Sequence, residues 1–208
     1  IINSHAGELA FFISEKDSGP ANAINKGLRK ATGDIVGWIN ADDFYLPGAL
    51  TRVADTMIHH PGRAICFGHC PIVNEEGEEI RHGITRFKEA FFPWSCRFAI
   101  QSINYISQPA TFFRKSAMDQ AGFLREDFKA AWDYDFWLRL WRYGGAVRIE
   151  KPALASFRWH ASSISGQNYR RQFDEELRVA HEDAGIFSLQ ALLHLGVKWG
   201  IIWSYSAM

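Results

Sequence analysis

The run Ile35-Val36-Gly37-Trp38-Ile39, closed at once by Asn40-Ala41-Asp42-Asp43, constrains this chain more than any other segment. Successive apolar residues leave no polar face, so a strand there needs cover on both sides, as in a parallel sheet flanked by helices. Its neighbours fit that scheme. Ala10 to Ser14 reads as another short buried strand. Ala21, Ile24, Leu28 and Ala31 recur at helical spacing between Pro20 and Gly33. Pro47 opens a second helix, to about His60. Ala64 to Val73 and Glu79 to Thr85 read as strands joined by a hairpin turn at Glu76-Gly77. Gln108 to Arg114 and Ala153 to Trp159 read as strands, Asp133 to Tyr143 as a helix. Tyr169, Phe173, Leu177, Ala180 and Ala184 mark a further amphipathic helix. This alternation predicts an α/β fold with a mainly parallel mixed sheet flanked by helices, followed by C-terminal helices.

With 208 residues the chain suits one sizeable core. A formal net charge of +0 gives no field that would draw it onto nucleic acid, and no nucleic-acid partner is expected. Three irregularly spaced cysteines argue for a reducing compartment. On a strand, Cys66 and Cys70 would stand roughly 13 Å apart, too far to share a zinc ion. The start at Ile1 shows no signal-peptide pattern. The apolar stretch Leu189 to Trp203 falls short of the ~20 residues that span a bilayer. A packed terminal helix is the first expectation for it. Peripheral membrane contact through that helix is the second, so the expected location is cytoplasmic with or without membrane association.

Three groups could carry chemistry. Asp42 and Asp43 follow a buried strand, where ligands of open α/β sheets bind, and adjacent acids repel unless a cation lies between them. The same acids would also serve as an ordinary capping loop before Pro47. Asp133 shares a helical face with Phe136, Trp137, Leu140 and Trp141, so it points inward, as a general base in a sheltered cleft would. Spacing alone leaves a structural N-cap equally open. Asp135 falls in line with Leu138, Arg139 and Arg142, where an i,i+4 pair with Arg139 would be worth a few tenths of a kcal/mol. Finally, Arg158 and His160, with Ser162, Ser163 and Ser165, could grip a diphosphate.

In order along the chain, Asp17-Ser18-Gly19, Asn25-Lys26-Gly27, Gly37-Trp38-Ile39-Asn40-Ala41-Asp42-Asp43, Gln108-Pro109-Ala110-Thr111, Asp133-Tyr134-Asp135 and Arg158-Trp159-His160 resemble family 2 glycosyltransferases. The resemblance covers about Ala10 to Ser165. It implies a GT-A, Rossmann-like fold, with residues 1–165 as the core and 166–208 as a helical extension. It implies a nucleotide-diphosphate sugar donor, a UDP-sugar by expectation, and a saccharide or lipid-linked acceptor, in cell-wall or polysaccharide biosynthesis. By the same likeness Asp42 and His160 would hold a divalent metal, Mg2+ or Mn2+. Asp17, Asn25, Lys26, Asn40, Asp42, Asp43 and His160 would line the donor site, and Asp133 would be the base of an inverting transfer. Asn40 stands where the family's Asp-x-Asp motif has its first acid, and the family's first strand would lie upstream of Ile1. A nucleotidyltransferase and a non-catalytic sugar-binding module are the competing classes.

Overall fold

The computed structural model describes residues 2–160 and 169–206. After a 3-10 segment at Ile2–Glu8 come helix α1 (Pro20–Leu28), strands β1 (Ile35–Val36) and β2 (Phe44–Tyr45), and helix α2 (Ala49–His59). Strands β3 (Ile65–Gly68), β4 (Ile72–Val73) and β5 (Glu79–Ile80) lead into helices α3 (His82–Glu89) and α4 (Arg97–Ser102). Then follow β6 (Thr111–Arg114), α5 (Lys115–Ala121), α6 (Trp132–Trp141), β7 (Ala146–Ile149), β8 (Ala155–Arg158), α7 (Tyr169–Ala184) and α8 (Leu189–Ser206).

The strands form two four-stranded sheets, ordered β1-β6-β3-β7 and β2-β8-β4-β5. The α/β class and the helical flanks are as expected, but the strand directions are not mainly parallel. Among the described residues only β3–β7 and β4–β8 run parallel, and the other four pairings are antiparallel. An apolar run records that both faces are covered; it carries no record of direction.

Three other expectations change. Ala10 to Ser14 is no strand: it is irregular and exposed, with Phe11, Phe12 and Ile13 in solvent. Strands need a ladder partner, and β1, at the sheet edge, pairs only with β6 among the described residues. The long strand from Ala64 to Val73 splits at His69-Cys70-Pro71, where proline has no N–H to give. Its carbonyls stay paired, His69 with the N–H of Leu154 and Pro71 with that of Phe157. The chain thus leaves one sheet as β3 and enters the other as β4. The strand expected to reach Thr85 stops at Ile80, because Arg81 takes a left-handed conformation (φ 54°) that starts α3. Stacking of its guanidinium 3.8 Å from the Trp159 ring centre helps to offset that strain.

The main core joins α6 to the first sheet through aromatic contacts. Trp38 stacks on Trp137 at 5.3 Å, and Phe113 meets Phe136 edge-on at 5.1 Å. Cys66 and Cys70 are buried thiols, each pushed up to about 12 by burial, which suits packing and not reactivity. Helix α7 packs on α6, and α8 packs on α4 and α7. Among the described residues, no helix is long and apolar enough to cross a membrane.

Candidate active site

The loop after β1 folds around one buried acid. Asp43, 8 % exposed, accepts from the side-chain amide of Asn40 (3.0 Å) and from the backbone N–H of Arg158 (2.9 Å). Antiparallel pairing of β2 with β8, Phe44 opposite Ser156, sets the two segments side by side. The Arg158 side chain completes the junction, donating to the backbone carbonyls of Asp42 (3.0 Å), Asn74 (3.1 Å) and Glu75. Arg158 is therefore committed to holding loops together, contrary to the diphosphate grip expected of it. Ser162, Ser163 and Ser165 lie outside the described residues. The outcome of this junction is that Asp42 Oδ2 and His160 Nε2 sit 3.0 Å apart across 118 residues of chain. Burial pushes the Asp43 carboxyl up to about 6, the N–H of Arg158 opposes it, and the charge of Asp42 adds to it.

Asp42 and His160 open into a cleft of about 470 Å³ whose wall also includes Trp38, Asn40, Lys88, Asn104, Gln108, Asp133 and Gln172. Asp133 stands in the first turn of α6, with Oδ1 2.7 Å from the N–H of Tyr134. It is not the helix cap. Glu175 of α7 accepts from the backbone N–H groups of Lys129, Ala130 (2.7 Å) and Ala131 (3.1 Å), pinning the turn that leads into α6. Asp133 lines the cleft one turn further on. Burial pushes its carboxyl up to about 6, while the Tyr134 N–H and the charge of Lys88 pull it down.

The expected Asp135–Arg139 pair forms at 2.8 Å, with Arg125 3.5 Å away. It is not an exposed pair, however: Asp135 is only 6 % exposed, more enclosed than Asp133. The helix is covered by α5 and α7 as well as by the sheet, so the two-faced reading of its periodicity fails there. Removing a partner from such an enclosed pair costs more than a surface pair is worth.

The residues expected around the nucleotide are not brought to the cleft. Asn25 is buried and closes a loop, donating to Leu124 O (2.9 Å) and Glu126 Oε1 (3.1 Å) and accepting from Leu124 N. Lys26 pairs with Glu15 at 2.7 Å, and Asp17 Oδ1 takes the N–H of Gly19 in a local turn. Of the predicted set, Asn40, Asp42, Asp133 and His160 line the cleft, and Asp43 lies behind it. Sequence reasoning missed Glu175, Lys88 and Gln108, which donates to Trp38 O at 2.7 Å. Nothing in helical spacing singles them out, although Gln108 belongs to a segment already seen as family-like.

Among the described residues no three His, Cys, Asp or Glu side chains gather around one point as a complete metal cage. The Asp42–His160 pair nevertheless suits an ion that takes most of its ligands from phosphate and water, as nucleotide-bound divalent ions do.

The sequence profile described as Glycosyl transferase family 2 matches residues 1–122. This chain belongs to that family. A relative named "Uncharacterized glycosyltransferase YwdF", from Bacillus subtilis, is 26% identical over 186 residues, 83% of this chain and 64% of its own length. The family 2 chain therefore spans under two thirds of that relative. Among solved structures, S. aureus TarS 1-349 in complex with UDP-GlcNAc superposes with a TM-score of 0.66 at 15% identity. That match covers 90% of this chain and 54% of TarS 1-349. The mannosyltransferase PcManGT from Pyrobaculum calidifontis, in complex with GDP-Man and Mn2+, gives 0.56 at 16% identity, over 99% of this chain and 60% of that one. Likeness at this level establishes the GT-A fold.

Glu175 generates a stability prediction. Burial pushes its carboxyl up, but the N–H groups of Ala130, Ala131 and Lys129 outweigh that, so it is held below its ordinary 4.5. Its contribution is thus present above that value and is lost as pH falls through the lowered folded-state value. Glu175→Ala should cost about 1–2 kcal/mol in urea unfolding at pH 7, and less at pH 3. An equal loss at both pH values would rule out a charge-dependent hold on the 129–131 turn.

Proposed function

We propose that the chain is the catalytic core of an inverting glycosyltransferase that moves a sugar from a nucleotide-diphosphate donor to an acceptor hydroxyl. Residues 1–165 form that core in this reading, and residues 166–208 are a helical extension packed on it. One observation carries the proposal: the Asp42–His160 pair and Asp133 face the same cleft. Family membership favours transfer over the nucleotidyltransferase and sugar-binding alternatives.

Asp42 and His160 would hold a divalent metal, which would carry the donor diphosphate and offset the charge on the departing nucleoside diphosphate. A mixed oxygen and nitrogen pair suits Mn2+ better than Mg2+. Asn40, tied by its amide to Asp43 and to Gln108 (3.3 Å), shapes the floor beside Asp42. Asp133 accepts the proton of the acceptor hydroxyl as that oxygen attacks the anomeric carbon. Attack opposite the leaving diphosphate gives inversion. A carboxyl raised to about 6 is a stronger base than a free aspartate yet is still mostly ionised at neutral pH. Of the neighbours' ligands, UDP-GlcNAc and GDP-Man are the donors to try first; the acceptor is a saccharide or lipid-linked hydroxyl.

Peripheral membrane contact belongs to the same proposal, and α8 supports it through its orientation. Its polar side chains face the protein: Gln190 on Gln101 (3.2 Å), buried His194 stacked on Tyr134, Lys198 on Asp174 (2.5 Å). Leu189, Leu192, Leu193 and Trp199 face outward instead, next to Phe187, which is 94 % exposed. An apolar stripe with a tryptophan on the solvent side is what an interface-lying helix presents.

Three outcomes test these assignments on the full-length protein. Calorimetry with UDP or GDP should show Mn2+-dependent binding that Asp42→Ala abolishes; unchanged metal-dependent affinity would remove Asp42 from the site. Nucleoside-diphosphate release should fall about 10²–10⁴-fold in Asp133→Asn with donor binding kept. Because the base must be ionised, kcat/KM should rise as pH rises through about 6 and level off above it. Asp135→Asn should instead keep most activity and lose about 1–3 kcal/mol of stability. The reverse pattern would reassign the base. Finally, cosedimentation with lipid vesicles should drop when Leu192 and Trp199 are both changed to Ser, and binding that ignores the double substitution would refute contact through α8.

A further inference from the structure

One part of the cleft wall is more polar than its burial warrants, and the reaction described above leaves it unused. Under it lies Glu176 of α7, 5 % exposed. Its Oε1 accepts from Nδ2 of Asn104 (3.1 Å) and from Nε2 of Gln172 (3.1 Å), and its Oε2 lies 3.8 Å from Nε2 of buried His194. Asn104 and Gln172 both line the cleft together with Asp133, whereas Glu176 does not reach it. Packing alone gives no reason for a carboxylate here: the next inward residues of the same helix, Val179 and Ala180, are apolar and buried. An enclosed charge is poorer cement than an apolar side chain of similar size.

The amide geometry supplies a reason. By claiming Nδ2, Glu176 decides which way the Asn104 amide is turned, and so where its carbonyl oxygen goes. That Oδ1 has no hydrogen-bond partner among the described residues, nor has the hydroxyl oxygen of Thr85 on the same cleft wall. Two shielded polar atoms left incomplete on one wall, beside the base, are an arrangement that ligand hydroxyls would complete.

We propose that Glu176 is a positioning residue for the acceptor: it orients Asn104 and Gln172 so that they receive hydroxyl groups of a saccharide or polyol next to Asp133. Glu176 itself touches neither substrate. The inference rests on the glycosyl-transfer reading and adds the chemistry of the acceptor and the residues that recognise it.

The test uses full-length protein, UDP-GlcNAc or GDP-mannose with Mn2+, and a panel of monosaccharides, oligosaccharides and alditols, with nucleoside-diphosphate release as readout. Glu176→Leu and Asn104→Ala should each raise the acceptor KM roughly ten-fold while donor KM stays within about two-fold. Glu176→Gln should restore most of the acceptor affinity, since its amide oxygen still accepts from both neighbours. The double variant should be little worse than either single one, because the two side chains act as a unit. Acceptor KM unmoved in Glu176→Leu, donor KM rising in step with it, or no rescue by Gln would each overturn the inference and leave glycosyl transfer standing. No release from the wild-type protein with any donor and acceptor would overturn the transfer reading, and this inference with it.

Discussion

The buried carboxylate of Asp43 is the constraint on which the cleft depends. It ties the loop after β1 to the end of β8, and Arg158 answers by taking the carbonyls of Asp42, Asn74 and Glu75. Three loops from distant parts of the chain thereby share one junction. A carboxylate this enclosed is tolerable only because backbone and amide donors meet it, and even so its affinity for a proton is raised. The geometry of Asp42 and His160 is a by-product of that junction. Neither residue is placed by its own local structure: Asp42 lies in a loop after a two-residue strand, and its partner His160 is 118 residues away in sequence.

A second junction places Asp133. Helix α6 begins without a side-chain cap, and Glu175 reaches from α7 to hold the turn at 129–131 that leads into it. Asp183 of α7 gathers Arg97, Arg142 and Gln101, fastening the same helix to α4 and to the end of α6. The C-terminal helices are therefore structural parts of the surroundings of Asp133, although the family profile ends at residue 122. Residues that set the environment of Asp133 lie in the part of the chain where family-like motifs have stopped.

This division explains what was legible in the sequence. Amphipathic helices were legible because burial writes its period into them: α1, α2, α6 and α7 fall close to where spacing puts them. Asp42, Asp133 and His160, which the fold brings to one cleft, fall within ordered family-like motifs. Strand direction, the break at Pro71 and the left-handed Arg81 were not, since each is set by a partner far away in sequence. The exposure of Ala10 to Ser14 has the same cause, an apolar run with no ladder beside it. Asn25 shows the converse error. A polar residue on a helix near a cleft invites a ligand role, yet its amide closes the 124–126 loop through three hydrogen bonds.

Burial raises two acids, Asp43 and Asp133, to the same region near 6, and their surroundings separate what each can do. Asp43 has both oxygens engaged, one by the Arg158 N–H and one by the Asn40 amide, and it lies behind the cleft wall. Nothing could approach it without dismantling the loop. Asp133, among the described residues, is engaged by the N–H of Tyr134 and by its own N–H, and it faces the cleft. A raised proton affinity is thus no guide to a base by itself; an oxygen with free lone pairs, open to a substrate, is also required. By that double condition, of the two only Asp133 is placed to meet an incoming hydroxyl, while Asp43 keeps the loop that carries Asp42 in place.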